Sequence, residues 1–231
     1  MQKCNPMKPE KPGTSSERPV EVSAGPVVLQ GILGLPAKAA GIVLFAHGSG
    51  SGRLSPRNTF VARTLQEGGL ATLLLDLLEE DEAEDRRKVF DIDLLADRLM
   101  AAAGWLAQEP ATKGLPLGYF GASTGAGAAL QAAGRAPVSV AAVVSRGGRP
   151  DLAAPYLPRV KAPTLLIVGG LDVPVIQMNE AALALLACPK KLVIVPGATH
   201  LFEEPGTLEQ VADHARRWFR RYLSRKSPEG A

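Results

Sequence analysis

The chain has 231 residues, 46% of them hydrophobic and 21% charged, a composition that suits one globular domain. At that size roughly 70–75% of the unfolded surface can be buried without a metal or disulfide framework. Its 26 basic and 23 acidic residues nearly cancel to +3, which implies no nucleic-acid partner, and the two cysteines, Cys4 and Cys188, have no metal-ligating or disulfide spacing.

No apolar run approaches the roughly 18–20 residues of a membrane span, and Met1 to Pro19 lacks an apolar leader core. A cytoplasmic protein without a membrane partner is the expectation. Residues 1–19 carry Pro6, Pro9, Pro12 and Pro19 among Lys, Ser and Glu, a stretch too polar to order itself. They are expected to form a disordered tail ahead of a single domain over residues 20–231.

Val20-Glu21-Val22 and then Val27-Val28-Leu29 with Ile32-Leu33 predict a strand pair turning at Gly25-Pro26, an antiparallel sheet edge. Short apolar runs then alternate with longer segments of helical spacing. The strands are expected over 42–46, 71–75, 116–120, 140–144, 164–168 and 192–195. The helices are expected over about 58–67, 90–108, 125–133, 175–186 and 208–223. In the second helix Phe90, Leu94, Leu99, Ala102 and Leu106 form an approximate apolar stripe. In the last, Val211, Trp218, Phe219 and Tyr222 should pack inward, leaving the arginines of its other face in solvent. Strand, helix, strand throughout predicts an α/β fold, a mostly parallel sheet flanked by helices on both faces. The run Glu79-Glu80-Asp81-Glu82-Ala83-Glu84-Asp85, followed by Arg86-Arg87-Lys88, reads as a solvated loop and helix start.

Gly121-Ala122-Ser123-Thr124-Gly125 fits GxSxG. It lies between an expected strand and an expected helix, where a sharp turn flanked by glycines would push the serine hydroxyl out at the carboxyl end of the sheet. A hydroxyl needs a base, and the base an acid that fixes its tautomer. Of the three histidines, His214 lies mid-helix among charged residues. His47 precedes the serine at the start of a glycine-rich loop. His200 follows the strand 192–195 in Pro196-Gly197-Ala198-Thr199-His200, at the sheet edge where sites of such folds assemble. His200 is therefore the expected base. The acid should fall between serine and histidine, where Asp151, Asp172 and Glu180 stand. Asp151 reads as a helix start and Glu180 as mid-helix, whereas Asp172 follows a strand and Gly169-Gly170. Asp172 is the expected orienting acid.

Two backbone amides would stabilise an oxyanion: that of Thr124, next to the serine, and one from His47-Gly48-Ser49-Gly50-Ser51-Gly52, for which Ser49 is expected. That glycine-rich run lacks the lysine of a phosphate-binding GxxxxGK[ST] loop. Arg146 and Arg149 end one strand, and Arg53 and Arg57 follow the glycine-rich loop. His47 and Arg146 are thus expected at the substrate, Arg146 as a partner for an anionic group. No cofactor or metal is called for.

These motifs, His47-Gly48-Ser49-Gly50, Gly121-Ala122-Ser123-Thr124-Gly125, Leu171-Asp172 and Thr199-His200, resemble those of the α/β-hydrolase superfamily, and within it the compact dienelactone-hydrolase-like esterases, over about Val20 to Leu223. The resemblance implies an α/β-hydrolase fold and a hydrolase acting through an acyl-enzyme on Ser123, with His200 as base then acid and Asp172 orienting it. Dienelactone hydrolases proper carry cysteine at the position of Ser123, so the looser activity of a serine carboxylesterase is carried over. The short stretch between the strands 140–144 and 164–168, where larger relatives insert a cap, implies no cap domain and an open site for small, soluble or short-acyl esters. A thioesterase or lactone hydrolase with the same triad, and a non-catalytic ligand-binding protein of this fold, are the alternatives. Oligomeric state is left open.

Overall fold

The computed structural model describes residues 15–135 and 138–224. Eight strands form one sheet: β1 (Ser16–Ala24), β2 (Val27–Leu35), β3 (Ile42–Ala46), β4 (Ala71–Leu75), β5 (Leu117–Ala122), β6 (Val140–Arg146), β7 (Thr164–Gly169) and β8 (Lys190–Val195). Their spatial order is β1-β2-β4-β3-β5-β6-β7-β8. The hairpin β1/β2 turns through Gly25 at φ +66° and pairs antiparallel with β4, and every pair from β4 to β8 is parallel. β1 begins at Ser16, inside the expected tail. Its first residues pair with the end of β2, Ser16 opposite Leu35 and Arg18 opposite Leu33, so a partner strand orders a segment that lacks apolar residues of its own. The rest of the expected tail, residues 1–14, lies outside the described residues.

β3, β4, β5 and β7 are buried along their whole length, which is why they read as continuous apolar runs rather than as alternations. Successive residues point to opposite faces. Helices α1 (Pro56–Glu67) and α7 (Thr207–Leu223) cover one face, where Val61, Leu65, Val211 and Phe219 pack on Phe45, Leu74, Phe120 and Val144. On the other face α4 (Ile92–Gln108), α5 (Thr124–Arg135) and α6 (Val173–Leu185) set Leu95, Leu99, Ala129 and Ala182 against Leu44, Leu73, Tyr119 and Val143. Trp218 and Tyr222 of α7 are half-buried, their rings 4.9 Å apart. Between β6 and β7 stands only a 3-10 helix, Pro150–Arg159, and no cap domain interrupts the described residues there. No helix among the described residues is long and apolar enough to cross a membrane.

Two expectations shift in ways that matter for the site. β5 and β6 run two residues past the last bulky apolar side chain, because Gly121 and Ala122 stay in the ladder opposite Ser145 and Arg146. Arg146 therefore ends its strand level with the residue before Ser123. The basic triplet Arg86-Arg87-Lys88 begins a short helix, α3 (Arg86–Val89), and the acidic run before it is not a solvated loop but another, α2 (Glu80–Glu84). Within it Glu82 is buried: its carboxylate accepts from the Glu79 amide at 3.0 Å, from Lys88 Nζ at 3.0 Å and from both terminal nitrogens of buried Arg98, Nη2 at 2.7 Å. Arg98 also donates to the Leu77 carbonyl at 2.9 Å. The hydrogen bond from Arg98 is the main cause that holds the Glu82 carboxyl down at about 2. Downstream, the Asp91 carboxylate caps α4 by accepting from the Leu94 amide at 2.9 Å. Helix α4 thus starts after Phe90, which is left exposed, and its buried stripe runs through Ile92, Leu95, Leu99, Ala102 and Leu106.

Candidate active site

Ser123 occupies the single residue between β5 and α5 at φ +50°, a left-handed conformation that costs a non-glycine residue about 1–3 kcal/mol and persists only where its surroundings impose it. Here they do. Its amide donates to the Arg146 carbonyl at 3.2 Å, and its carbonyl accepts from the amides of Ala126 and Arg149, each at 3.1 Å. A Cβ on Gly121 would stand 2.4 Å from the Ala126 backbone, and one on Gly125 would stand 2.2 Å from the Ala46 carbonyl oxygen. The two glycines of the motif are required because strand, turn and helix pass this close.

His200 and Asp172 come from neighbouring loops at the same edge of the sheet. The loop after β7 is tied to the one after β8 by Gly170 N–H to the Val195 carbonyl, 2.8 Å, and Leu171 N–H to the Ala198 carbonyl, 2.9 Å. Asp172 then ends its loop as the residue preceding α6. Its carboxylate lies 2.6 Å from His200 Nδ1, with the Asp172 side chain largely buried and the imidazole 38% exposed. Such a contact fixes Nδ1 as the protonated nitrogen and leaves Nε2 as a base. Ser123 and His200 line one cavity of about 160 Å³, together with Ser49, Arg57, Arg146 and Leu201. Among the described residues the Ser123 hydroxyl makes no hydrogen bond, a looseness typical of catalytic contacts before substrate is bound. His214 stands apart on α7 beside Lys191 and Arg217.

Each of the remaining expected contacts has a definite place in the structure. The Ser49 amide does not stand open: it donates to the Thr124 hydroxyl at 3.1 Å, so that oxygen occupies the direction from which an oxyanion would approach. The Thr124 amide, the first of α5, has no intrahelical acceptor. His47 lines the cleft, but both its ring nitrogens serve the backbone. Nδ1 contacts the Gly48 carbonyl and Nε2 accepts from the Leu77 amide, each at 3.0 Å, and burial holds its pKa below the usual value. It is a neutral brace between two loops, with no nitrogen left for a substrate. The arginines separate too. Arg53 is paired with Asp76, and Arg149 with Asp151 at 2.7 Å. Arg57 reaches Glu203 at 3.2 Å with one nitrogen, while its Nε is buried without a partner among the described residues. Arg146 is buried at the cavity with Nε and Nη1 unpartnered among the described residues. Desolvation, with a smaller contribution from the like charge of Arg57, pulls its pKa down to about 10.

Phe202 was not legible in advance. It is buried at φ +57° two residues after His200, where its ring anchors the loop in the core, and nothing in the sequence marks a phenylalanine for a left-handed conformation.

The model of the dienelactone hydrolase family matches residues 29–224. This chain belongs to the dienelactone hydrolase family. It is 60% identical to a dienelactone hydrolase of Anabaena variabilis ATCC 29413 whose crystal structure superposes with a TM-score of 0.88 over 90% of this chain and 99% of that one. Est1E of Butyrivibrio proteoclasticus, at 16% identity, shares the fold with a TM-score of 0.76 over 90% of this chain and 99% of its own. A Mycobacterium tuberculosis protein named provisionally as a phosphoribosyl transferase is 59% identical over 211 residues, 91% of this chain and 48% of that protein. The chain thus spans about half the length of the curated relatives it matches. Membership of the family supports a hydrolase.

Proposed function

We propose that the chain is a serine hydrolase that cleaves carboxylic esters through an acyl-enzyme on Ser123. The observation that carries this reading is the convergence, at one cavity, of a serine held on a strained elbow and an imidazole whose Nδ1 is bonded to Asp172. His200 Nε2 takes the proton of the Ser123 hydroxyl as the oxygen attacks the ester carbonyl. It then gives that proton to the departing alcohol and activates a water for deacylation, while Asp172 fixes the tautomer and balances the imidazolium. The Thr124 amide faces the developing oxyanion, and the Ser49 amide joins it once the Thr124 hydroxyl rotates away. The missing cap and the exposure of His200 favour small soluble esters over long lipids. The family to which the chain belongs favours one second reading, a lactone substrate, whose opening leaves acid and alcohol on one molecule.

The test is hydrolysis of a chain-length series of simple esters and lactones by the wild type and by Ser123→Ala, with folding checked by circular dichroism. Turnover greatest for short acyl chains, and reduced by roughly 10⁴-fold or more in the variant, is expected. Turnover that survives in a folded Ser123→Ala protein overturns the reading.

A further inference from the structure

Two cavities lie beside the Ser123 turn. One, about 370 Å³, opens beyond the Ser49 loop and Thr124; Leu78, Ala83, Val89 and Leu95 form its apolar wall, and Arg57 borders it as well. The other, about 160 Å³, is the one that His200 shares with Arg146, Arg57 and Leu201. The smaller cavity holds two guanidiniums and no carboxylate in its lining. Glu203 meets Arg57 with a side chain 63% exposed, where water screens its charge. Burying a guanidinium with unpartnered nitrogens is costly, and buried polar groups in folded proteins are paired in the great majority. Arg53 and Arg149, close by in sequence, follow that rule and have their aspartates; Arg146 and Arg57 have like charge for a neighbour.

The chemistry of acyl transfer says which half of a substrate meets these arginines. The imidazole that removes the serine proton must hand it to the leaving oxygen, so the leaving group lies on the His200 side of the nucleophile. The larger cavity, which Thr124 lines and His200 does not, is left for the acyl chain.

Resting on the serine-hydrolase reading, we propose that the substrate is an ester of an apolar acid with a phosphorylated alcohol, the phosphate held between Arg146 and Arg57. A dianion answers two neighbouring guanidiniums at one cavity, whereas a carboxylate neutralises only one, and guanidiniums bind phosphate by paired N–H donors. In the reaction the Ser123 oxygen bonds to the acyl carbon and the bond from that carbon to the alcohol oxygen breaks. The serine proton passes through His200 to that oxygen, and the phosphorylated alcohol departs. Water then cleaves the acyl-serine ester, and the carboxylic acid leaves with the enzyme restored.

The experiment compares butyrate esters of 2-hydroxyethyl phosphate, 3-hydroxypropanoate and 1-propanol as substrates of the wild type, Arg146→Gln and Arg57→Gln. The phosphate ester is expected to exceed the propyl ester in kcat/KM by roughly ten- to a hundredfold, the contribution of charge-assisted hydrogen bonds, and each variant is expected to lose most of that ratio. Arg57 is partly exposed, so Arg57→Gln keeps the test decisive even if Arg146→Gln fails to fold. Equal rates for all three esters, or a carboxylate ester preferred to the phosphate ester, overturn the proposal. A second readout separates it from the hydrolase reading: inorganic phosphate titrated into Ser123→Ala protein by calorimetry. Binding that disappears when Arg146→Gln is added upholds the subsite even if no ester is cleaved. An absence of binding together with an absence of preference removes the subsite, whatever the esterase result.

Discussion

Two buried arginines stand on the same side of the molecule's chemistry ledger and are handled in opposite ways. Arg98, beneath the acidic helix α2, has a carboxylate and a backbone carbonyl for its donors. Arg146, at the end of β6, has Nε and Nη1 without a partner among the described residues and another arginine nearby. A charge taken out of water is stabilising or tolerable when fully paired and expensive when not. The first arrangement therefore reads as architecture, bracing the wall of the apolar cavity. The second reads as a site whose partner arrives with the substrate. The strained Ser123 elbow belongs with the second: both features cost stability at one edge of the sheet, and the fully buried strands behind them supply it.

The largest effect expected is at the base. Asp172→Asn should lower kcat for ester hydrolysis by roughly 10⁴-fold with little change in KM, since His200 would then be held in the wrong tautomer; steady-state kinetics on a short-chain ester checks it. The two arginines should respond in opposite directions to the same substitution. Arg98→Met leaves the buried Glu82 carboxylate with only Lys88 and the Glu79 amide, and should cost about 3 kcal/mol in urea unfolding. Arg146→Met strands no acid, and should raise stability by about 1–2 kcal/mol. Equal losses in the two variants would mean that Arg146 has a structural partner after all.

A smaller effect follows acid. The Glu82 carboxyl is lowered from its ordinary 4.5 to about 2, first of all by the hydrogen bond from Arg98. A group depressed in the folded state contributes its full stability above its unfolded pKa and loses it as protons bind the folded form. The Glu82 contribution should thus be complete above pH 4.5 and decline as pH falls from 4.5 towards 2. Urea midpoints measured across that window should fall more steeply for the wild type than for Glu82→Gln.

Much of this was legible in the sequence, for reasons that can be stated residue by residue. β3 and β4 are runs of buried apolar side chains with the bounds expected of them, because every position contributes to the pattern. The family and the fold followed from motifs whose residues are required by close approach, as at Gly121 and Gly125. The ends of β5 and β6 were less legible, since Gly121, Ala122, Ser145 and Arg146 stay in the ladder through neighbours on both sides and not through their own propensity. Ser16 joined β1 for a similar reason. Glu82 was hidden inside a run of like charge: its chief partner, Arg98, stands sixteen positions away and is equally unremarkable in sequence. His47 and Ser49 stood at the expected place, but their hydrogen bonds to Leu77 and Thr124 depend on how loops pack, which spacing does not encode. Among four candidate arginines the sequence could not separate the paired from the unpaired, because the separation lies in which aspartate each one reaches.

Everything proposed for the site depends on acylation of Ser123 with the help of His200. Intact mass spectrometry followed by peptide mapping, after treatment with a small alkyl fluorophosphonate, tests it most directly. One adduct on Ser123 in the wild type, strongly slowed in His200→Ala, is the predicted result; an adduct on another residue, or none in a preparation that is hydrolysing esters, would contradict it.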